Sequence, residues 1–245
     1  APVLFPEGPL VTSVFERLTR PGVNGYLLGA DNLGRSVLVR LLYGARISLG
    51  IGAGVGLLSM LFGMVLGLYA CYYPKLDNVI MRVCDALSAI PSTLLAIAMV
   101  AMLGGGIGNL ILSLTVVSVP RVARVARSSA LVVKEQTYIE AMRSLGASDS
   151  RIIWLHIAPN ILSPVVVQAS YIFANAIITE AALSFLGVGV PQPEPSWGNI
   201  LYDGKAVIHK AWWMIVYPGI ATALTVLGLN IFGDGLRDVL DPHTN

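Results

Sequence analysis

Charge is what this 245-residue sequence has least of: Asp, Glu, Lys and Arg make up 12% of it, about half the ~25% usual in soluble domains. Too few charges remain to cover a water-facing surface, and those present crowd between long uncharged runs, so the chain reads as a membrane protein. Sixteen basic against fourteen acidic side chains leave a net charge of +2, which excludes a basic nucleic-acid binder. The high apolar content, with mean hydropathy +0.73, excludes a disordered or collagenous chain. Two cysteines, Cys71 and Cys84, are too few for a disulfide framework; both fall near the ends of apolar runs and read as packed thiols. No His-x-x-x-His, Cys-x-x-Cys or carboxylate cluster has metal-ligand spacing, and His209 and His243 are isolated. A phosphate-binding loop is missing too, because Gly204-Lys205 is followed by alanine and the preceding Gly198 is wrongly spaced. With no serine elbow or histidine triad, nothing supports a self-contained enzyme or hydrolysis of ATP by this chain alone.

What is present is a series of apolar runs. A hydrocarbon core about 30 Å thick needs about 20 helical residues at 1.5 Å each. Residues 47–74 supply 28 uncharged positions, one span. Residues 86–120 supply 35, too many for one span, and Gly104-Gly105-Gly106 divides them into spans over 86–103 and from Ile107 into Val125. A fourth runs from Pro164 past Glu180 to Gly187-Val188-Gly189. The fifth covers 211–233, entered through Trp212 and Trp213, whose rings favour the headgroup level. The glycines at 50, 52, 54, 56, 63 and 67 give the first span small-xxx-small spacing, which lets another helix approach closely. Five spans put the chain ends on opposite sides, and with Ala1 in place of an initiating methionine a sixth, amino-terminal span is expected to be missing; Ala1 to Pro9 is too polar and proline-rich to be one.

Orientation follows from basic residues in short loops. Between Arg121 and Arg151 stand six (Arg121, Arg124, Arg127, Lys134, Arg143, Arg151) against three acids (Glu135, Glu140, Asp149), so this loop is placed in the cytoplasm. The expected organisation is then an extracytoplasmic segment 1–46, a transmembrane domain 47–235 that includes a cytoplasmic loop 121–160, and a cytoplasmic tail 236–245. Within the first segment Val37, Leu38, Leu41 and Leu42, with Arg35 and Arg40 around them, read as a helix on the outer membrane surface. The three arginines at helical spacing would anchor the inner end of the third span. Thr137-Tyr138-Ile139-Glu140 has the form of a capping box, predicting a short helix that closes on a left-handed Gly146. Ser148 offers a second cap for a helix through Asp149-Ser150-Arg151-Ile152-Ile153, which Pro159 is expected to stop. Two short helices hinged on a glycine suit pressure on a soluble partner.

The spacing Glu140-Ala141-Met142, Gly146, His156-Ile157-Ala158-Pro159 resembles the EAA signature of permease subunits of ATP-binding cassette importers, in its peptide and nickel branch. Leu28-Gly29-Ala30-Asp31-Asn32-Leu33-Gly34-Arg35 leading to Tyr43-Gly44-Ala45-Arg46-Ile47-Ser48-Leu49 resembles the second, C-type permease of dipeptide and oligopeptide importers, as does Thr179 to Gly187 leading to Pro195-Ser196-Trp197-Gly198. The resemblance runs from about Leu28 to Pro242; Met142 and Ala158 depart from the usual alanine and leucine, which touches local packing alone. It implies an all-α membrane protein with a type I importer transmembrane domain, in a prokaryotic cell (inner or plasma) membrane. It further implies half of a translocation path for di- or oligopeptides, a homologous second permease, two ATPase subunits, an extracytoplasmic substrate-binding protein, and alternating access. The coupling loop would comprise Glu140, Ala141, Gly146, Ala147, Asp149, Arg151, His156 and Pro159, with ATP and Mg on the partner ATPases and no cofactor on this chain.

Four readings stay open. Nickel or a metal chelate could replace peptide as cargo, and an ATP-independent channel or carrier would use Glu180 as its ion site. Glu180, inside a span, either lines a path or bridges helices by hydrogen bonds. The proline-rich stretch Pro191 to Trp197, continuing into Ile200, Leu201 and Tyr202, is either a span-capping turn or an interfacial helix facing a binding protein.

Overall fold

Long apolar runs without an edge to pair must satisfy their backbone internally, and helices do so. The computed structural model, which describes residues 5–240, is accordingly helical, with two isolated bridges (Val23 with Tyr26, Ala30 with Ser36) and no strand among the described residues. After one 3-10 turn at Val14–Glu16, the chain forms α1 (Val37–Tyr72), α2 (Pro74–Ala89), α3 (Ser92–Leu103), α4 (Ile107–Lys134) and α5 (Thr137–Ser144). Then come α6 (Asp149–Arg151), a π turn (Ile152–Ile157), α7 (Ala158–Asn160), α8 (Leu162–Phe185), α9 (Trp197–Lys205) and α10 (Trp213–Leu240). Among the described residues α1, α4, α8 and Trp213–Val239 of α10 are long and apolar enough to cross a membrane; α2 with α3, bent by 97°, makes a fifth crossing if the pair is one broken span.

Several bounds differ from the sequence expectation. The surface helix expected around Val37 to Leu42 is the start of α1, whose 36 residues reach about 54 Å. Residues 86–103 do not form one straight span: Pro91 has no N–H to continue the α2 ladder, the chain turns there, and the 12-residue α3 covers about 18 Å. The glycine turn falls where expected, with α3 ending at Leu103 and α4 starting at Ile107; Gly104 (φ 83°) and Gly106 (φ 147°) occupy conformations that disfavour a side chain. Trp212 is half exposed as expected of an interfacial ring, but Trp213 is buried and donates its indole N–H to the Ala30 carbonyl at 3.1 Å. Helix α10 extends through the first part of the expected tail; the rest of 236–245, with His243, lies outside the described residues.

The chain divides into two units. One takes the segment up to Gly54 with Ile97–Ser113 and Ala174–Gly228; the other takes Val55–Ala96, Leu114–Phe173 and the segment from Leu229. In the second unit the small-xxx-small spacing acts as predicted: a Cβ at Gly63 would overlap Val122, and one at Gly67 would lie 2.6 Å from both the Ala123 carbonyl and the Ala126 methyl of α4. Backbone contact of this kind is how apolar helices associate where lipid is as apolar as leucine.

Candidate functional site

The loop that follows α4 belongs wholly to the second unit. Its first helix, α5, starts at the predicted residue but not by the predicted cap: Gln136 is the N-cap residue, Thr137 is already helical, and no side chain closes the helix start. Its end is as expected. Gly146 is left-handed (φ 81°), its N–H bonds the Arg143 carbonyl at 3.1 Å, and the Ala147 N–H bonds the Met142 carbonyl at 3.0 Å, the paired bonds of a Schellman closure.

Ser148 is the N-cap of α6 by position, without a side-chain bond. Pro159 does not stop the second helix. Ahead of it the backbone widens into the π turn, where the Ala158 N–H reaches the Ile153 carbonyl five residues back, and the chain runs on to Asn160. Such wide turns are rare and occur mostly as single insertions in helices. The segment buries Ile139, Ile152, Ile153, Ile157 and Ala158. It exposes Glu140, Ala141, Gly146, Asp149, Arg151 and Pro159, together with Leu145 (87% exposed), Leu155 and Trp154. Ala147 and His156 are half-buried; the His156 carbonyl accepts from Asn160 Nδ2 at 2.6 Å.

Two sets of contacts fix this loop to the helix ends beneath it. Tyr72, the last residue of α1, donates its hydroxyl to Asp149 Oδ1 at 2.7 Å, and Tyr73 donates to Oδ2 at 3.4 Å. Partial desolvation, with the Asp149 carboxylate facing it, raises the Tyr73 phenol above its ordinary value. Lys134 and Arg143 lie 5.5 Å and 5.6 Å from the Tyr72 ring centre, and Lys134 Nζ donates to the Cys71 carbonyl at 2.8 Å. Farther along α4, Arg127, half-buried, grips Asp77 through two bonds of 2.5 and 2.6 Å, and Arg124, exposed, meets Asp85 at 3.1 Å; Arg121, also exposed, makes no ion pair among the described residues. Sequence reasoning missed Tyr72 and Tyr73, since a tyrosine at the end of a span reads as an interfacial anchor.

In the first unit Glu180 bridges helices. Its Oε2 accepts from Ser48 of α1 at 3.0 Å and its Oε1 from Ser184 at 2.8 Å. Each serine in turn accepts a backbone N–H, from Trp197 at 3.3 Å and from Val190 at 3.0 Å. The carboxylate is fully buried and both its oxygens are engaged. Helix α9, capped by Ser196 accepting the Asn199 N–H at 3.1 Å, buries Trp197, Asn199, Ile200 and Asp203; the proline-rich stretch before it therefore leads into packed structure. A second buried group escaped the sequence reading: Asp31, Arg35, Arg40 and Asp203 form four ion pairs of 2.6 to 3.1 Å. Asp203 lies 163 positions from Arg40, and no local pattern announces the pairing. Nearby, a cavity of about 550 Å³ lined by Gly104, Gly105, Gly187, Gln192 and Tyr202 among others has no charged side chain in its wall.

Comparison with known proteins places this geometry in a family. A family profile described as "Binding-protein-dependent transport system inner membrane component" matches residues 59–245. A putative peptide transport system permease protein of Brucella suis is 48% identical over 243 residues, covering 99% of this chain and 82% of its own. The dipeptide transport system permease protein DppC of Escherichia coli K12 is 49% identical over 222 residues (90% and 74%), and the glutathione transport system permease protein GsiD of Pectobacterium atrosepticum 44% over 229 (93% and 76%). The inward-facing MetNI methionine ABC transporter, at 20% identity, has the same fold, with a TM-score of 0.70 over 82% of this chain and 96% of that one. The chain therefore belongs to the family of inner-membrane components of binding-protein-dependent transport systems, the permeases of ATP-binding cassette importers.

Proposed function

We propose that this permease moves di- or oligopeptides, forming half of the path with a homologous second permease, and that two ATPase subunits drive it through the loop from Thr137 to Asn160. The observation that carries the proposal is the contrast within that loop: an apolar inner face held at the end of α1, where Asp149 and Arg143 meet Tyr72, and an outer face that leaves Leu145 and Leu155 in solvent. Exposed leucines on a rigidly held projection need a cover. Glu140, Ala141, Gly146, Ala147, Asp149, Arg151, His156 and Pro159 are the coupling residues. The loop and the tail from 236 face the cytoplasm; the segment 1–46 lies outside, toward the substrate-binding protein. Peptide cargo is supported by relatives named for peptide, dipeptide and glutathione transport. Catalysis belongs to the ATPases, which hold ATP and Mg; this chain carries no cofactor. Glu180 acts as a helix bridge and not as a path-lining ion site.

The test replaces the loop's hinge. Proline cannot adopt the φ of +81° at Gly146 and has no N–H for the Arg143 carbonyl. Gly146→Pro, and Glu140→Lys on the exposed face, should leave the complex assembled while uncoupling ATP hydrolysis from uptake. Normal uptake in proteoliposomes by both variants would remove the coupling role.

A further inference from the structure

Helices α2 and α4 of the second unit flank an open cavity of about 630 Å³, within the range that holds small ligands. Helix α2 lines it with Asn78, Arg82 and Asp85, which share one face at helical spacing, and α4 with Arg124 and Arg127. Ion pairs fix its walls: Arg127 to Asp77, and Arg124 to Asp85 Oδ1, with Arg124 held further by the Cys84 carbonyl at 3.2 Å and Ser88 Oγ at 2.8 Å. Two carboxylates are thereby matched to two guanidinium groups. Arg82 is the third arginine in the lining; it is exposed and makes no ion pair among the described residues. Asp85 engages Oδ1 alone, and its other oxygen accepts no hydrogen bond among the described residues.

The cavity thus offers one unmatched fork of donors and one open carboxylate oxygen. A guanidinium fork suits a carboxylate bidentately, and the open oxygen of Asp85 suits an ammonium or amide N–H. A lipid phosphodiester or an inorganic anion would satisfy Arg82 but would meet two carboxylates as well. A short peptide with free ends carries both signs. We propose that this cavity binds the cargo peptide on its way out, Arg82 taking the terminal carboxylate and Asp85 an N–H of the other end. The proposal rests on the peptide reading above, and it puts a cargo contact on the stretch of α4 that leads into α5.

The complex of this permease with its partner permease and ATPases, purified without the binding protein and set in phosphatidylcholine nanodiscs, is tested with radiolabelled trialanine and trialanine amide. The wild type should bind the free acid about tenfold or more tightly than the amide, the scale of one charged hydrogen-bonded contact. Arg82→Gln should weaken the free acid by a similar factor without weakening the amide, and Arg82→Lys should recover part of the loss. Equal binding by wild type and Arg82→Gln, or equal losses for acid and amide, overturns the site. So does a lipid result, in which Arg82→Gln releases phosphatidylglycerol from mixed nanodiscs while trialanine binding stays unchanged. Import of trialanine by wild-type proteoliposomes with the binding protein separates the levels: import with no Arg82 dependence removes this site alone, whereas neither import nor binding removes the peptide reading and the site with it.

Discussion

At the scale of single residues, the buried polar groups carry the sharpest consequences. Asp31, Arg35, Arg40 and Asp203 are neutral as a set, and removing one member leaves an uncompensated buried charge at a cost of about 3–5 kcal/mol. Asp203→Ala should therefore reduce accumulation of the folded permease sharply. The pair Asp203→Ala with Arg40→Met, which restores neutrality, should accumulate better than Asp203→Ala alone, as quantified by fluorescence-detected size exclusion. A double variant worse than the single would mean that shape and not charge dominates the cluster. Glu180 poses a different question, because its two oxygens accept two hydroxyls and no cation. If it bridges helices, Glu180→Gln should retain most uptake, while Glu180→Ala strands two buried hydroxyls at about 1–3 kcal/mol each and lowers the melting temperature. Equal loss of uptake in both variants at unchanged stability would restore the path-lining role.

At the scale of elements, what was legible in the sequence was whatever the backbone states locally. Charge-free runs marked the long helices, Gly104 to Gly106 marked the turn between α3 and α4, and Gly146 marked the end of α5. The errors arose where a distant partner changed the meaning of a residue. Arg40 read as an amphipathic surface charge, yet it is buried because Asp203 meets it, so α1 runs through it. Thr137 fitted a capping box, but the chain entered the helix one residue earlier. Pro159 read as a stop because a missing N–H breaks an α-helical ladder; the wider π turn ahead of it let the chain continue. The glycine contacts of α1 give a test at this scale. Gly67→Ala, whose methyl would lie 2.6 Å from Ala126, should lose about 1–3 kcal/mol, whereas Gly50→Ala, with nothing within 4 Å, should be neutral. Melting curves of the detergent-extracted chain check both, and a tolerated Gly67→Ala would show that α1 and α4 separate freely.

At the scale of the whole molecule, the fold makes sense as a transmitter. Apolar helices keep the chain in the membrane, and between α4 and α8 one segment of helical turns departs from that pattern by exposing apolar side chains outside the candidate spans. Asp149 and Arg143 against Tyr72 tie that segment to the end of α1, and Lys134 against the Cys71 carbonyl ties α1 to α4, so on the proposed coupling a push on its outer face would move helices and not merely a loop. Fold and family were legible together, since motif spacing alone carried the resemblance; the brace that holds the loop was not, because a tyrosine and an aspartate 77 positions apart form no sequence pattern.

The most direct measurement places a photo-crosslinking amino acid at Leu145, the most exposed large apolar side chain of the loop, and irradiates native membranes. Coupling through this surface predicts a covalent adduct with a P-loop ATPase, identified by mass spectrometry and stronger with ATP analogue than without nucleotide. An assembled complex whose Leu145 crosslinks to lipid or to the partner permease, and never to an ATPase, would contradict it.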